Sequence, residues 1–540
     1  MKRTDLPAPP LPPGRPRLVV TGFMGTGKST AGRVAANKLG LPFVDLDDRA
    51  SARSGRPVGS MIDEDGEEAF RHLERTLLSE AAALSSTVVA TGGGAPMHET
   101  EFGALAWDSE VAVLTAELEE LAKRLANGDD RPLLRPDPAT RIPQLLRERR
   151  EAYADAGEPL DTTGHTVEET GARLADRYLR ISSREELAII DVEAPGHGPV
   201  VLGTGALGRI ASKISIAIPR ARTAALITDP AAKEAADIVA GAIEESGVDV
   251  ARIEMPGGEE AKSLAVLGHA LTSLREHGIE PTDVVVAIGG GTVLDAAGFS
   301  AATYARGIPL VNVPTTLLAM VDAGLGGKVA IDHAGAKNLV GTFHPPRLVL
   351  ADPAVLASLP ERELRTGFAE VVKAGILASP LLLDVLETED PTERLEWIVE
   401  QAVRIKAGYV AADPRDTGVR RSLNLGHTFA HAIESASDYA VSHGEAVASG
   451  LLAAARLGRQ HGITDPSLEE RTGSILARLG LPTGPPPELD TDRMLSAMAA
   501  DKKRRSGKAV FVVPAPGGAA LLEGLDPADA LSHLAPGTRS

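Results

Sequence analysis

The chain has 540 residues, of which 43% are hydrophobic and 24% charged, with a formal charge of −18 and no cysteine. That length predicts two to four domains of ordinary globular composition. The acidity argues against nucleic acid as a partner, since counterion release needs a basic surface. Missing cysteine excludes disulfides, thiolate nucleophiles and Cys-ligated metals, which fits a cytoplasmic protein.

Residues 1–16 (MKRTDLPAPPLPPGRP) are rich in proline and poor in apolar residues, and predict a disordered tail. Next come RLVVTG, LPFVDLDD, STVVATGGG and EVAVLTA, short apolar runs each followed by a turn or a helical stretch. The alternation predicts a parallel sheet wrapped by helices over 17–180. A polar and Pro/Gly passage over 181–198 predicts a linker and the start of a second domain. TAALITD, VDVARIEMP, DVVVAIGGG and IPLVNVPTT then predict another α/β domain over 199–352. From 353 to 540 the chain is mostly helical, with KAVFVVPAP as a late strand. No run of about 18 apolar residues occurs, so no membrane span is predicted.

Gly22-Phe-Met-Gly-Thr-Gly27-Lys28-Ser29 fits G-x-x-x-x-G-K-[ST], with a predicted strand before it and a helix after it. Glycines let backbone N–H groups close around phosphate, Lys28 neutralises β/γ charge, and the Ser29 hydroxyl can ligate Mg²⁺. The motif predicts ATP and is silent on the acceptor.

GFMGTGKST, Phe43-Val-Asp45-Leu-Asp47, Phe70-Arg71, Gly92-Gly93-Gly94-Ala95 and Arg131-Pro-Leu-Leu stand in order, and with them residues 17–180 resemble shikimate kinase. The resemblance implies ATP bound by Gly25, Thr26, Gly27, Lys28, Ser29 and Thr30 beneath a lid bearing Arg131, with Arg124 a further phosphate contact. It implies Mg²⁺ held by Ser29 and Asp45, and Asp47 as ligand and base for the shikimate hydroxyls. Arg71 and Arg149, or the adjacent Arg150, would hold the carboxylate, and Gly92, Gly93 and Gly94 would let backbone approach the ring. Two arginines facing a carboxylate suit bidentate recognition.

In the second part, Asp283–Asp295 is a strand running into Gly289-Gly290-Gly291, a pyrophosphate seat if it opens a helix. Glu370-Val-Val-Lys373 places an acid and a lysine on one helical face. His427 and His431, four apart, could share a metal or be ordinary helix histidines. Thr428 follows His427, so the base of an H-E-x-x-H peptidase is missing.

GGGxxxDxxGF, PTTLLAMVD, GGK, AKN, GFAEVVKxGI, LNLGHTFAHAIE and HGEAV follow in order, and residues 186–515 resemble 3-dehydroquinate synthase. The resemblance implies zinc, or equally cobalt, on Glu370, His427 and His443. It implies NAD at Asp229, Glu259, Lys262, Gly290, Gly291, Asp295, Thr315, Thr316, Lys328 and Lys337. The seven-carbon phosphate DAHP would meet Asp322, Lys328, Asn338, Lys373, Lys406, Arg420, Asn424, His431 and one of Lys502 and Lys503. Arg306 would reach phosphate in the neighbouring subunit, implying a homodimer through this half. Leu294 and Ala231 depart from residues common on the family's NAD side.

The chemistry implied is oxidation of a DAHP alcohol by NAD⁺, phosphate elimination, return of the hydride, and ring closure to 3-dehydroquinate. The expected fold class is therefore α/β: a P-loop kinase parallel-sheet domain, a Rossmann-like NAD-binding α/β domain, then a mostly α-helical metal-binding domain. The expected function is a bifunctional shikimate-pathway enzyme acting on small molecules. The alternative is a kinase fused to another sugar-phosphate cyclase or to a polyol dehydrogenase-like enzyme. Lys406, Arg420, Asn424 and the Lys502/Lys503 turn favour the carboxylate- and phosphate-bearing substrate.

Overall fold

Runs of Val, Ile and Leu favour pleated, buried strands. In the computed structural model, which describes residues 1–126, 132–135, 137–182, 187–504 and 510–534, they build the sheets of two units. One unit is Pro13–Glu186; the other joins Met1–Pro12 to Leu187–Ser540. The first strand, β1 (Lys2–Pro7), therefore belongs with the second unit.

The first unit holds β2 (Arg17–Gly22), β3 (Phe43–Asp45), β4 (Val88–Ala90), β5 (Ser109–Thr115) and β6 (Glu158–Asp161). They form one parallel sheet in the order β3-β4-β2-β5-β6. The central β2 is buried throughout, as a strand covered on both faces must be. Helices Lys28–Leu39 and Val167–Ser182 lie side by side over it, and Ala31, Ala35 and Ala36 allow the close approach.

The second unit contains β7 (Ala188–Ile190), β8 (Val200–Leu202), β9 (Thr223–Thr228), β10 (Asp249–Glu254), β11 (Val284–Gly289) and β12 (Leu310–Pro314). A hairpin of β13 (Lys328–His333) and β14 (Ala336–Phe343) precedes β15 (Leu348–Ala351). The main sheet runs β10-β9-β11-β12-β15-β8-β7, with only β7 antiparallel to its neighbour. From β9 the chain moves outward to β10, then returns to β11 and proceeds the other way. The strand order thus reverses between β9 and β11, where an α/β sheet opens a ligand crevice at its C-terminal edge.

The helical part follows, with Glu361–Ala378, Leu395–Ala412, His427–Ala436 and His443–Gln460 carrying most of the chemistry-bearing side chains. Helices Glu361–Ala378 and Leu395–Ala412 are buried around nearly their whole circumference, the mark of central rather than surface helices. β16 (Val510–Ala515) and β17 (Gly518–Glu523) close the unit. Among the described residues no helix is long and apolar enough to cross a membrane.

One expectation needs correction, and two gain detail. Residues 2–7 are a strand rather than a disordered tail, pairing antiparallel with β17 from Lys2↔Glu523 to Pro7↔Gly518. Backbone hydrogen bonds decide this, since Leu6 is the strand's one buried side chain. Within 181–198 the entry into the second domain is β7, a strand of the main sheet. The expected late strand is β16, and β17 follows it through a turn at Gly517, whose φ of 69° favours glycine.

Candidate active sites

In the first unit, β2 runs into the loop Gly22–Gly27. A Cβ on Gly22, where φ is 133°, would lie 2.2 Å from the Leu114 carbonyl oxygen of β5, so this exit requires glycine. Lys28 opens the following helix and its Nζ donates to the Phe23 carbonyl at 3.1 Å, laying the ammonium across the loop. The helix has no side-chain cap, so its first amides face the loop with their partial positive charge. Ser29 and Thr30 are exposed beside them. Arg124 reaches the Gly25 carbonyl at 3.4 Å and that of Thr162 at 3.1 Å. Arg131 lies outside the described residues.

Asp45 ends β3 and accepts from the amides of Asp47 (3.0 Å) and Asp48 (3.3 Å), capping helix Leu46–Ser54. Across the cleft runs Gly92–Gly94. A Cβ on Gly92 would lie 2.4 Å from Glu74 Oε1 and 3.0 Å from Asp47 Oδ1, and one on Gly94 would lie 2.1 Å from an Arg71 nitrogen. The Gly93 carbonyl accepts from Arg149 at 2.9 Å and from Tyr153 at 2.6 Å. The glycine turn is therefore met by two arginines, Arg71 at Gly94 and Arg149 at Gly93. Arg149 is buried and Arg150 exposed, so the structure brings Arg149 to this cleft.

Desolvation, reinforced by Asp45 and Glu74 and opposed by Lys28, pushes the Asp47 carboxyl up to about 6, even though its outer edge meets solvent.

In the second unit, the crevice between β9 and β11 is flanked by Asp229 and by Gly290, which starts helix Gly291–Thr303. Thr315 donates its amide to the Gly289 carbonyl at 3.0 Å, and Thr316 packs on Gly290. Lys262 is buried and bridges Asp295 to Asn338 Oδ1, the latter at 2.8 Å. Lys337 pairs with Glu259 at 2.9 Å. Leu294 lies in the hydrophobic core and Ala231 is exposed on a turn.

Deeper, helix Glu361–Ala378 presents Glu370, and helices His427–Ala436 and His443–Gln460 each present their first residue. The ligand atoms of Glu370, His427 and His443 all lie within 4.8 Å of one another. Glu370 Oε1 is buried without a hydrogen-bond partner, 3.5 Å from His427 Nε2 and 3.8 Å from His443 Nε2. Two ligand atoms on one tetrahedral ion stand about 3.3–3.5 Å apart, so this orphaned oxygen and the two imidazoles fit a divalent cation. His427 Nδ1 faces the Leu425 carbonyl at 3.1 Å, so Nδ1–H donates there and Nε2 keeps its lone pair. Burial, with Lys373 adding, holds His427 down at about 3, the neutral form a ligand needs.

Cations surround this triad. Lys373 pairs with Glu370 one helical turn back, and holds its carboxyl low although burial opposes this. Lys406 binds the side chain of Asp322 and, at 2.6 Å, its carbonyl. Burial, against Asp322 and with Arg420 and Lys373 adding, pushes Lys406 down to about 8. Arg420 is buried, and one of its terminal nitrogens donates to the Gly326 carbonyl at 3.3 Å, where a Cβ would collide with the guanidinium. Asn424 ends the same short helix, and His431 is exposed with its ring edge-on to His427 at 5.7 Å. Lys328 pairs with Asp416. Arg306 sits exposed on a turn, at a φ of 68°, and joins none of these contacts among the described residues. The side chains of Lys502 and Lys503 lie outside the described residues.

Residues 252–366 match the family model for the N-terminal part of 3-dehydroquinate synthase, 367–504 that for its C-terminal part, and 24–179 that for shikimate kinase. A 3-dehydroquinate synthase of Nocardia farcinica is 43% identical over 352 residues, 63% of this chain and 92% of the relative.

The chain belongs to the 3-dehydroquinate synthase family.

Its synthase half is thus joined to a domain of the shikimate kinase family. Two solved structures share the synthase fold. A 2-deoxy-scyllo-inosose synthase complexed with carbaglucose-6-phosphate, NAD⁺ and Co²⁺ aligns with a TM-score of 0.59 at 25% identity, covering 64% of this chain and 99% of that one. A 2-epi-5-epi-valiolone synthase of Streptomyces hygroscopicus subsp. jinggangensis 5008, with NAD⁺ and Zn²⁺ bound, aligns at 0.56 and 25%, covering 62% and 94%.

Sequence reading overlooks three acids of these sites. Glu74 is buried and binds Arg71 at 2.6 Å and His98 at 2.8 Å; its signal was the Arg-x-x-Glu helical spacing. Glu434, in the helix begun by His427, faces His443 Nδ1 at 3.4 Å and Lys337 at 4.0 Å. Its spacing of seven from His427 places it on that residue's face of the helix. Asp416 lies in a loop, and no local spacing ties it to Lys328.

Proposed function

We propose that this protein is a cytoplasmic bifunctional enzyme of the shikimate pathway. It phosphorylates shikimate to shikimate 3-phosphate with ATP and Mg²⁺, and converts DAHP to 3-dehydroquinate with release of phosphate. What carries the second assignment is the Glu370–His427–His443 triad ringed by Lys373, Lys406 and Arg420, a donor set and a cationic wall in one cleft.

In the kinase half, the loop amides and Lys28 would hold the β/γ phosphates, and Ser29 with Asp45 would hold Mg²⁺. Arg71 is fixed by Glu74 and Glu67, and Arg149 by Gly93, so both guanidinium planes are preset for the shikimate carboxylate. Asp47 takes the proton of the attacking hydroxyl. A base with a pKa near 6 predicts that kcat/KM for shikimate falls as pH drops through about 6. A profile flat down to pH 5 would remove Asp47 from that role.

In the synthase half, Glu370, His427 and His443 would hold zinc or cobalt, and the crevice between β9 and β11 would seat NAD. When bound, NAD takes and returns the hydride while the metal polarises the reacting oxygen. The chain's own residues prepare the site. Lys373 occupies one Glu370 oxygen and leaves the other for the metal. Asp322 anchors Lys406, and Gly326 anchors Arg420, so that both meet the substrate's anionic groups without searching for a rotamer. Glu434 orients His443 through Nδ1. Glu434→Ala is therefore expected to weaken metal affinity about 10- to 100-fold in chelator competition. Unchanged affinity would show that His443 needs no such support.

The deciding experiment is an assay of fresh, metal-loaded protein with DAHP. Phosphate and dehydroquinate should appear together and only with NAD and the metal. No turnover there, with turnover of a sugar phosphate lacking the carboxylate, would favour the inosose and valiolone cyclases instead. Exposed Arg306 fits a contact to a second subunit, and a homodimer should sediment at twice the chain mass of 56.2 kDa.

A further inference from the structure

The twelve residues preceding the kinase fold with the synthase half, and they touch the elements that carry its anion-binding side chains. β1 pairs with β17 along six residues, and the Ala8 amide extends the ladder to the Gly517 carbonyl at 2.8 Å. The short helix Val419–Asn424, which bears Arg420 and Asn424, packs against β1, β16 and β17. β16 also accepts, at the Val510 carbonyl, a 2.9 Å hydrogen bond from Thr428, next to His427. Beyond β1 the segment crosses helix Leu395–Ala412, where Arg404 Nε donates to the Pro12 carbonyl at 2.9 Å. Lys406 lies on the same helix, two residues further on.

Two glycines leave room for this passage. A Cβ on Gly408 would lie 2.7 Å from the Pro10 carbonyl oxygen, and one on Gly518 would lie 2.4 Å from that of Leu6. The synthase half is thus shaped around backbone that comes from the other side of the kinase in sequence.

We propose that residues 1–12 are a positioning strap for Lys406, Arg420 and Asn424, so that the kinase is an insertion within the synthase half rather than a domain placed ahead of it. The strap acts by fixing helix Leu395–Ala412 and the turn Val419–Asn424 from behind; it does not touch substrate. The activity readout rests on the DAHP reading above, whereas hydrogen exchange tests the strap independently of it.

The test uses the full chain with residues 2–7 deleted and, separately, Gly408→Val, which leaves the strap intact but drives it off the helix. Both should raise KM for DAHP about 10- to 100-fold, since displacements near 1 Å are enough for such losses. kcat should change little, metal content should hold, and shikimate kinase kinetics should match the wild type. Amide exchange over 419–424 should quicken in both. A synthetic peptide of residues 1–12 should restore KM in the deletion variant and not in Gly408→Val. Wild-type KM and exchange in both variants would overturn the proposal. So would a fall in kcat and metal content at unchanged KM, which would reduce the strap to a general stabiliser.

Discussion

Lys28→Ala is expected to lower kcat for shikimate phosphorylation at least about 10³-fold and to leave dehydroquinate formation unchanged. The Lys28 ammonium lies over the loop, bonded to the Phe23 carbonyl, where charge spreads over the phosphoryl oxygens in the transition state. Among the described contacts Arg124 is the other cation held at the loop, through the Gly25 carbonyl, but its charge is already met by Glu120. Both assays run on one preparation would separate the sites. Loss of both activities in a folded variant would mean that the two halves do not work independently.

The second large effect is expected at Glu370. Glu370→Gln keeps the shape but removes the charge that faces two imidazoles, and should cost the metal and at least about 10³-fold in synthase turnover. It also leaves Lys373 buried without its carboxylate, and breaking a buried pair costs about 3–5 kcal/mol. A lowered melting temperature is therefore expected beside the lost activity. His427→Ala provides the separation, because His427 neutralises no lysine. It should lose metal and activity with a smaller drop in melting temperature, while shikimate kinase activity persists in both variants. Full metal content in either would displace the triad as the binding site.

What could be read in advance follows from how local each feature is. The Gly22–Ser29 loop is a short segment whose spacing carries the chemistry. In the second half spacing alone pairs His427 with His431, and only the family resemblance implies His443, which is the histidine that stands with His427 and Glu370. The spacing of Glu370 and Lys373 shows only an acid and a lysine one turn apart on a helix, and the resemblance alone implies that Glu370 is a ligand. Glu74 was not, although its spacing from Arg71 is helical, because its importance appears only when Gly92 is folded against it. Asp416 meets Lys328 across 88 residues of chain, and nothing near either residue announces the pair. β1 was misread for a physical reason. With one buried side chain it carries no alternation, and its fate is decided by ladder bonds to a strand at the far end of the chain.

That pairing also sets a schedule for the chain during synthesis. β1 leaves the ribosome well before its partner β17, which is made more than five hundred residues later. At synthesis rates of about 5–20 residues per second, the wait is roughly 25–100 s. The domain between them can fold in that interval, whereas the other half cannot finish until the last strands emerge. An unpaired strand left waiting so long invites mispairing with other chains. Lys2, Arg3 and Asp5, followed by the prolines from Pro7 onward, make it a poor template for that. The composition that disguises this strand is the one that keeps it soluble until its neighbour exists.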